Sequence, residues 1–228
     1  MCGRFSQAYT WEEIVAFSQP LTVPANRPNL QPRYNIAPTT EIDIITLAED
    51  GGRQMIKARW GLIPSWHRGE VRDLKASTFN ARAESVHEKP MFRGAFKSRR
   101  CIIPASGFFE WTGDKGGKTP HYFSAADGSL LAFAGLWEQW RDPQGTEIIT
   151  ATIIVREGNA WMKKYHDRMP MMLQPKDFDV WLNGTAGKDV FEEPSPALRE
   201  WIVSQRVNKA GAGDDDPATI APEPGPLL

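Results

Sequence analysis

The sequence predicts a single α+β domain with a mainly antiparallel sheet, on three observations. Its 228 residues are 41% hydrophobic and 24% charged, which is enough for one buried core and excludes a disordered or fibrous chain. Strand-like runs separated by turn signals outnumber the candidate helices. Most of these runs follow one another as hairpins without a crossover helix, which favours an antiparallel sheet over a parallel βαβ sheet.

The N-terminal part of the chain predicts one helix and one β-hairpin. Thr10 and Glu13 form a capping box ahead of an apolar stripe, which predicts a helix over residues 11–18. Residues 41–48 are rich in isoleucine and strand-like, and a Glu-Asp-Gly-Gly turn leads into a second run that continues through Trp60. We therefore expect these two runs to pair.

The remaining elements are mainly strands. Strand-like runs occur at residues 100–104, 107–111, 121–125, 130–137 and 147–155. The first two of these runs, and the next two, are expected to pair with each other. Helices are expected over residues 90–98, 159–165, 176–182 and 196–202. Gly, Pro, Asp and Ala dominate residues 210–228, which predicts a flexible C-terminal tail after a domain at 1–209.

The composition excludes several classes of protein. No run of eighteen apolar residues and no signal-peptide pattern is visible, so we expect a cytoplasmic protein without a membrane partner. The two cysteines, Cys2 and Cys101, provide neither a disulfide framework nor a zinc-binding spacing. We expect no metal and no cofactor, and a monomer is the default.

The net charge of −1 conceals an uneven distribution. Residues 176–228 carry 5 basic and 10 acidic side chains, which leaves 22 basic against 18 acidic before them. The body of the chain is therefore mildly basic, and five cations lie between Lys89 and Arg100. This is compatible with a phosphate-binding face, although a solvated helix surface explains it equally well.

Cys2 has the most distinctive chemistry, because removal of Met1 would make it the N-terminal residue. An α-amine with a pKa of roughly 8 and a thiol with a pKa of about 8.5 would then share one residue. Such an aminothiol can close a thiazolidine ring on an aldehyde, or attack an amide through its thiol with the amine as base. A frayed terminus with an inert cysteine is the plain alternative.

Glu110 and His166 are the candidate acid–base groups. Glu110 lies in an apolar strand-like run, Gly-Phe-Phe-Glu-Trp, where burial would raise its pKa toward neutrality. His166 follows a predicted helix, whose C-terminus favours the charged imidazolium. An edge-strand glutamate paired with an arginine and a structural histidine are the alternatives. His67, His87 and His121 have no spacing partner and are expected to be structural.

A polar face precedes the basic segment. Asn80, Arg82 and Glu84 alternate with apolar neighbours, so an extended backbone places all three on one side. An asparagine beside an arginine suits a phosphate or a sugar oxygen. Trp66 follows Pro64 in a predicted turn, and an aromatic ring near cations can stack on a splayed base. An exposed strand face and a core tryptophan are the alternatives.

Six short segments occur in the order typical of a known family. They are Met1–Phe5, Tyr34–Pro38, Trp60–Pro64, Asn80–Glu84, Gly107–Trp111 and His166–Pro170, with a weaker seventh at 203–208. The chain thereby resembles the SRAP family, the SOS-response-associated peptidase domain, over all but its tail. One departure lies at residues 206–214, where the family often continues with an asparagine-containing turn.

The resemblance implies a barrel-like β core and a role in DNA repair and the SOS response. A family member binds single-stranded DNA and traps abasic sites. By this resemblance, the protein would remove its own Met1, and Cys2 would then form a stable thiazolidine crosslink with the ring-opened deoxyribose. The expected reaction is lyase-like and single-turnover and needs no cofactor. The protein is expected to be cytoplasmic, and to associate with the nucleoid when it is bound to DNA.

The resemblance also implies roles for individual residues. Asn80 would position Cys2 and the sugar, Glu110 would move protons, and His166 would assist ring opening. The expected phosphate contacts are Arg4, Arg82 and Arg168. The expected base contacts are Trp66 and Pro38.

Two rival functions use the same residues. An N-terminal-nucleophile hydrolase would direct Cys2 at an amide or peptide bond. A non-catalytic DNA-binding module would use only the tryptophans and arginines. Both are distinguished from the crosslinking function by whether Cys2 forms a covalent adduct with abasic DNA.

Overall fold

The computed structural model describes residues 2–22, 28–74, 76–114 and 117–224. Met1 and residues 225–228 of the expected tail lie outside the described residues. The strands are β1 (Phe5–Gln7), β2 (Arg33–Ile36), β3 (Glu41–Leu47), β4 (Arg53–Trp60), β5 (Asn80–Arg82), β6 (Arg100–Ala105), β7 (Gly107–Thr112), β8 (Thr119–Ala125), β9 (Leu131–Arg141), β10 (Glu147–Glu157), β11 (Arg168–Pro170) and β12 (Leu198–Ile202). The α-helices are α1 (Trp11–Phe17), α2 (Arg93–Ser98) and α3 (Phe178–Leu182).

Five strands close into a mixed barrel. The order β10-β4-β3-β6-β9 is completed by the pairing of β9 with β10, so these strands leave no free edge. All the pairings within the barrel are antiparallel except that of β4 with β10. The expected α+β fold with a mainly antiparallel, barrel-like core is thereby confirmed.

A second sheet packs beside the barrel, in the order β12-β8-β7-β1-β2. Its inner face and the barrel interior share one apolar cluster that includes Cys2, Phe5, Phe108 and Phe133. Its outer face carries a smaller cluster around Phe109. Alternate residues of β7 therefore point to opposite sides, one toward the main core and one away from it.

The expected helix at 11–18 and hairpin at 41–60 are confirmed. The capping box of α1 has both of its hydrogen bonds, and β3 pairs with β4 along its whole length. Residues 93–98 form α2 within the expected 90–98. The expected helix at 159–165 is only a 3-10 turn, Met162–Lys164.

Two predictions of local pairing were wrong. β6 and β7 are separated only by Ser106, and the chain passes there from the barrel to the second sheet, so the two strands do not pair. The chain returns to the barrel between β8 and β9, which likewise lie in different sheets. A short connection therefore joins sheets here rather than closing a hairpin.

The helix predicted at 196–202 is strand β12. Leu198 to Ile202 pair antiparallel with β8, and Leu198 packs on the main core while Trp201 packs on the outer cluster. This alternation has the period of two that a strand requires. Pro196 begins the segment but does not decide its conformation.

The expected flexible tail packs against the body as far as Glu223, whose amide donates to the Ile202 carbonyl at 2.9 Å. We call residues 203–224 the C-terminal cover. Val203 and Val207 join the outer cluster of the second sheet, and the indole of Trp201 donates to the carbonyl of Ile220 at 2.8 Å. Composition indicated disorder, but the polar groups of this segment find partners that are distant in the sequence.

Candidate active site

Cys2 lies at the base of the candidate site, in line with the start of β1. The amide of Phe109 donates to the carbonyl of Arg4 at 3.0 Å, so residues 2–4 run beside β7. The Cys2 side chain is fully buried in the main cluster, and its Sγ lies 3.9 Å from the Arg4 carbonyl oxygen. Pairing with β7 therefore brings the N-terminal segment to Glu110.

Asn80 holds Cys2 from the other side. β5 runs parallel to β10. Ala81 faces the core and is buried, whereas its neighbours Asn80 and Arg82 are half-buried and exposed, respectively. The Asn80 Nδ2 donates to the Cys2 carbonyl oxygen at 2.8 Å. Its Oδ1 is buried and has no hydrogen-bond partner among the described residues. This acceptor is therefore available to a ligand donor.

Glu110 is a buried carboxyl on the same face of β7 as Phe108. Only 3% of the residue is exposed, while Phe109 points to the outer cluster. Burial raises the pKa of Glu110 to about 7, against the opposing charge of the chain's α-amino group. The rise in pKa predicted from the sequence is confirmed, and its largest cause is desolvation by burial.

Burial also controls the Cys2 thiol. Its pKa is raised well above the ordinary thiol range by desolvation, and the nearby Glu110 carboxylate adds to this shift. The thiol is therefore protonated near neutrality and needs a base before it can act as a nucleophile. Glu110, with a pKa of about 7, is matched to that task.

His166 reaches the same electrostatic environment from the loop after β10. Its amide donates to the Met162 carbonyl at 2.9 Å, and its Nδ1 accepts from the Arg168 amide at 2.9 Å. Burial lowers the pKa of His166, and the α-amino group lowers it further. The expectation of a favoured imidazolium was wrong, because a three-residue 3-10 turn supplies little helix dipole and burial dominates.

A groove leads away from Asn80 along the protein surface. It has a volume of 540 Å³, and Asn80, Arg82 and Trp66 all contribute to its wall. The Trp66 side chain is 54% exposed, which is high for so large an apolar group. Pro38 lies in a neighbouring groove of 320 Å³ that shares residues 76–78 with the first.

The remaining two arginines already have protein partners. Arg168 forms an ion pair with Glu84, whose side chain is 53% exposed. Arg4 donates through Nη1 to Asn35 Oδ1 at 2.6 Å and to the Val207 carbonyl at 2.7 Å. Arg4 therefore ties the N-terminal segment to the C-terminal cover, and its phosphate contact stays a prediction.

Three polar residues beside the site form a group that the sequence reasoning did not predict. His121, expected to be structural, lies opposite Glu110 on β8 and pairs with Glu200. Tyr165 donates to the same carboxylate at 3.1 Å. The sequence holds no signal for this group, because its members come from separate elements and Glu200 falls in a segment predicted as helix.

Two further properties concern the described part of the chain. It holds no cluster of three or more His, Cys, Asp or Glu side chains that could bind a metal ion. Within the same residues, no helix has the length and apolar character needed to cross a bilayer.

The fold and site together define a class of protein. A closed β-barrel and a second sheet enclose Cys2, and a carboxyl with a pKa of about 7 acts on its thiol. Asn80, which holds Cys2, also lines a surface groove. The chain belongs to the SOS response associated peptidase (SRAP) family, whose sequence model matches residues 1–210.

Named relatives and a solved structure show the same similarity. The chain is 40% identical over 186 residues to the abasic site processing protein YoqW of Bacillus subtilis, covering 80% of each chain. It is 28% identical over 200 residues to the abasic site processing protein YedK of Escherichia coli, covering 84% of each. A crystal structure of a protein from Bacteroides thetaiotaomicron superimposes with a TM-score of 0.81 at 25% identity, over 97% of this chain and 100% of that one.

Proposed function

We propose that this protein processes abasic sites in single-stranded DNA by forming a thiazolidine crosslink through Cys2. The observation that carries the proposal is the placement of Cys2, which Asn80 holds through the 2.8 Å hydrogen bond and which lies in the field of Glu110. The names of the relatives, YoqW and YedK among them, support the same substrate.

The reaction begins with exposure of the aminothiol. Hydrolysis of the peptide bond before Cys2 consumes one water, releases methionine and leaves the Cys2 amine free. The protein performs this step on itself, in keeping with the peptidase in the family's name. The Cys2 amine is then the first nucleophile, because burial holds the thiol in its protonated form.

Ring closure follows in two balanced steps. The amine condenses with the C1 aldehyde of the ring-opened deoxyribose and expels one water as the imine forms. The thiol then adds to the imine carbon, forming the C–S bond, while its proton passes to the nitrogen by way of Glu110. Because amine and thiol belong to one residue, the effective concentration of thiol at that carbon is far above that of any thiol in solution.

Other residues open the sugar and hold the strand. His166 is neutral through its lowered pKa and accepts from the Arg168 amide at Nδ1, so its hydrogen lies on Nε2 and is donated to a sugar oxygen during ring opening. Asn80 Oδ1 accepts a hydrogen bond from a sugar hydroxyl. Arg82 and Arg168 contact phosphates, with Arg4 behind them, while Trp66 and Pro38 pack against bases. The protein acts as a monomer in the cytoplasm, on the DNA of the nucleoid.

The reaction consumes the protein, so it is lyase-like but single-turnover. We expect at most one crosslink per protein molecule, with no turnover after the first event. This stoichiometry separates the proposal from a peptidase acting on other proteins, which would process many substrate molecules.

The test uses single-stranded DNA with one abasic site, resolved on a denaturing gel. A matched DNA carrying a tetrahydrofuran at the same position has the same shape but no aldehyde. We expect a crosslinked band only with the abasic DNA, and none that survives denaturation with Cys2→Ser. A processed sample that gives no band would contradict the proposal.

A further inference from the structure

A group of polar side chains lies beside the candidate site and takes no part in the chemistry above. His121 on β8 is buried, and the Glu200 side chain on β12 is 18% exposed. Tyr165 directly precedes His166 in the loop between β10 and β11. Polar groups that are fully or partly withdrawn from water stabilise a fold when their hydrogen bonds are complete, so their partners show what they hold in place.

The Glu200 carboxylate joins two of these groups. Its Oε1 faces the Nδ1 of His121, and its Oε2 accepts from the Tyr165 hydroxyl at 3.1 Å. The other ring nitrogen of His121, Nε2, lies 2.7 Å from the hydroxyl oxygen of Thr112. Because a carboxylate only accepts, Nδ1 carries the hydrogen, and both ring nitrogens are occupied.

This bridge connects the strand of Glu110 to the loop of His166. Glu110 and His121 are directly opposite in the pairing of β7 with β8, so their side chains share one face. The Tyr165 ring packs against the His121 ring, with centroids 5.0 Å apart, and against Phe123 at 5.1 Å. Tyr165 thus attaches the loop to β8 by two ring contacts and to β12 by one hydrogen bond.

The position of this loop determines the surroundings of both acid–base groups. The Asp167 carboxylate lies 2.8 Å from the Nδ1 of His166, and its negative charge also raises the pKa of Glu110. A displacement of residues 165–167 would therefore change the distance from His166 to the reacting sugar and the electrostatic field at Glu110 together.

We infer that Tyr165 is a positioning residue, whose hydroxyl, through Glu200 and His121, fixes His166 relative to Glu110. The kinetic consequence of this inference rests on the proposed function. Its structural consequence, a fixed environment for the His166 ring, rests on the geometry alone.

The variant Tyr165→Phe removes only the hydroxyl and keeps the ring in contact with His121 and Phe123. Tyr9→Phe is the control, because the hydroxyl of Tyr9 likewise lies near a carboxylate, 3.4 Å from that of Asp43. Tyr9 belongs to the other large apolar cluster, away from Cys2. Any general cost of removing a phenol hydroxyl from beside a carboxylate appears in both variants.

Crosslinking kinetics give the first readout. At saturating abasic DNA we expect Tyr165→Phe to slow crosslinking on the order of tenfold, since small displacements of a reacting group are costly. The DNA concentration at half-maximal rate should stay within about twofold, because no DNA contact is removed. Tyr9→Phe should leave both quantities unchanged. An unchanged rate in Tyr165→Phe would overturn the inference.

A double-mutant cycle tests whether Tyr165 acts through His166. In a His166→Ala background we expect Tyr165→Phe to have little further effect, because the group that it positions is gone. The full loss of rate in that background would show that Tyr165 acts elsewhere, and would overturn the inference.

The second readout needs no DNA. The chain has only four histidines, so the His166 ring resonance can be assigned by its loss in His166→Ala. We expect Tyr165→Phe, but not Tyr9→Phe, to move the His166 resonance and its titration midpoint. If the wild type forms no crosslink, the proposed function fails, and this spectrum alone decides: a moved His166 resonance supports the positioning role, and an unmoved one overturns it.

Discussion

Glu110 is a buried ionisable residue, and its burial has a measurable consequence for stability. The carboxyl is buried on the core face of β7, and its pKa is raised from 4.5 to about 7 by desolvation. Between these two values the folded protein holds a proton that the unfolded chain has released. Stability therefore falls as the pH rises through this interval, and the loss is complete above pH 7.

Replacement by a neutral isostere should remove this pH dependence. We expect Glu110→Gln to be more stable than the wild type above pH 7 by on the order of 3 kcal/mol, and equal to it below pH 4.5. Urea unfolding at several pH values measures the difference. Glu147→Gln is the control, because Glu147 is exposed and Arg141 lowers its pKa, so its small effect has the opposite sign. A constant difference across pH would contradict the account of Glu110.

The same substitution should affect the reaction without affecting binding. Because Glu110 transfers protons in the proposed ring closure and holds no phosphate, we expect Glu110→Gln to slow crosslinking by about 10²-fold or more. Affinity for single-stranded DNA should stay within about twofold in a fluorescence anisotropy titration. A large loss of affinity with normal crosslinking kinetics would make Glu110 a structural residue.

Residue patterns predicted part of this site. The alternation around Glu110, and that of Asn80 with Arg82, is local, so the chain itself specifies which face each side chain occupies. The direction in which the pKa of His166 shifts was not predictable from the sequence, because it depends on burial by elements that are distant along the chain. The pairing of His121 with Glu200 spans 79 positions, and no local rule connects them.

At the scale of elements, the C-terminal cover determines how β1 and β2 are held. The Asp214 carboxylate accepts from the backbone amide of Asn35 at 2.8 Å and from Arg33 Nε at 2.7 Å. The side-chain amide of Asn35, through Nδ2, donates to the carbonyls of Lys209 and Ala212. The cover therefore completes the hydrogen bonds of the N-terminal sheet edge, on which Arg4 and Cys2 depend.

Removal of the Asp214 carboxylate should weaken this attachment. We expect Asp214→Ala to lower the free energy of unfolding by about 2–3 kcal/mol, because a charged acceptor is lost and a backbone donor is left without a partner. Urea unfolding measures the change. Asp215→Ala tests the neighbouring exposed carboxylate and should stay within about 0.5 kcal/mol of the wild type. Equal effects of the two variants would restore the flexible tail predicted from composition.

At the scale of the whole molecule, charge is unevenly distributed along the chain. The acidic C-terminal part offsets the charge of a mildly basic body. Within that body, the exposed carboxylate of Glu84 forms an ion pair with Arg168. Such an exposed pair contributes little to stability, but it reduces the positive charge that a phosphate would meet.

Removing that carboxylate should strengthen DNA binding. We expect Glu84→Gln to raise the affinity for single-stranded DNA about three- to fivefold at low salt, with the gain declining as salt rises. Fluorescence anisotropy over a salt series measures both effects. Glu147→Gln removes the carboxylate of another exposed arginine pair and should change neither. Weaker binding by Glu84→Gln would mean that the pair itself builds the DNA surface.

The overall fold was predictable only where contacts are local. The β3–β4 hairpin follows from its alternation and turn, whereas barrel closure depends on pairing between β4 and β10, some ninety positions apart. Single-residue passages such as Ser106 resemble turns in sequence, yet they move the chain between sheets. The fold class is therefore predictable from the sequence, whereas closure of the barrel depends on long-range packing.

The intact mass of the protein before and after exposure to abasic DNA tests the central proposal most directly. We expect the purified protein to lack the mass of Met1, and the product to equal the sum of protein and DNA minus one water. Resistance of this product to borohydride reduction identifies a closed thiazolidine, because an open imine would gain two hydrogens. A fully processed protein whose mass is unchanged by abasic DNA would contradict the proposal.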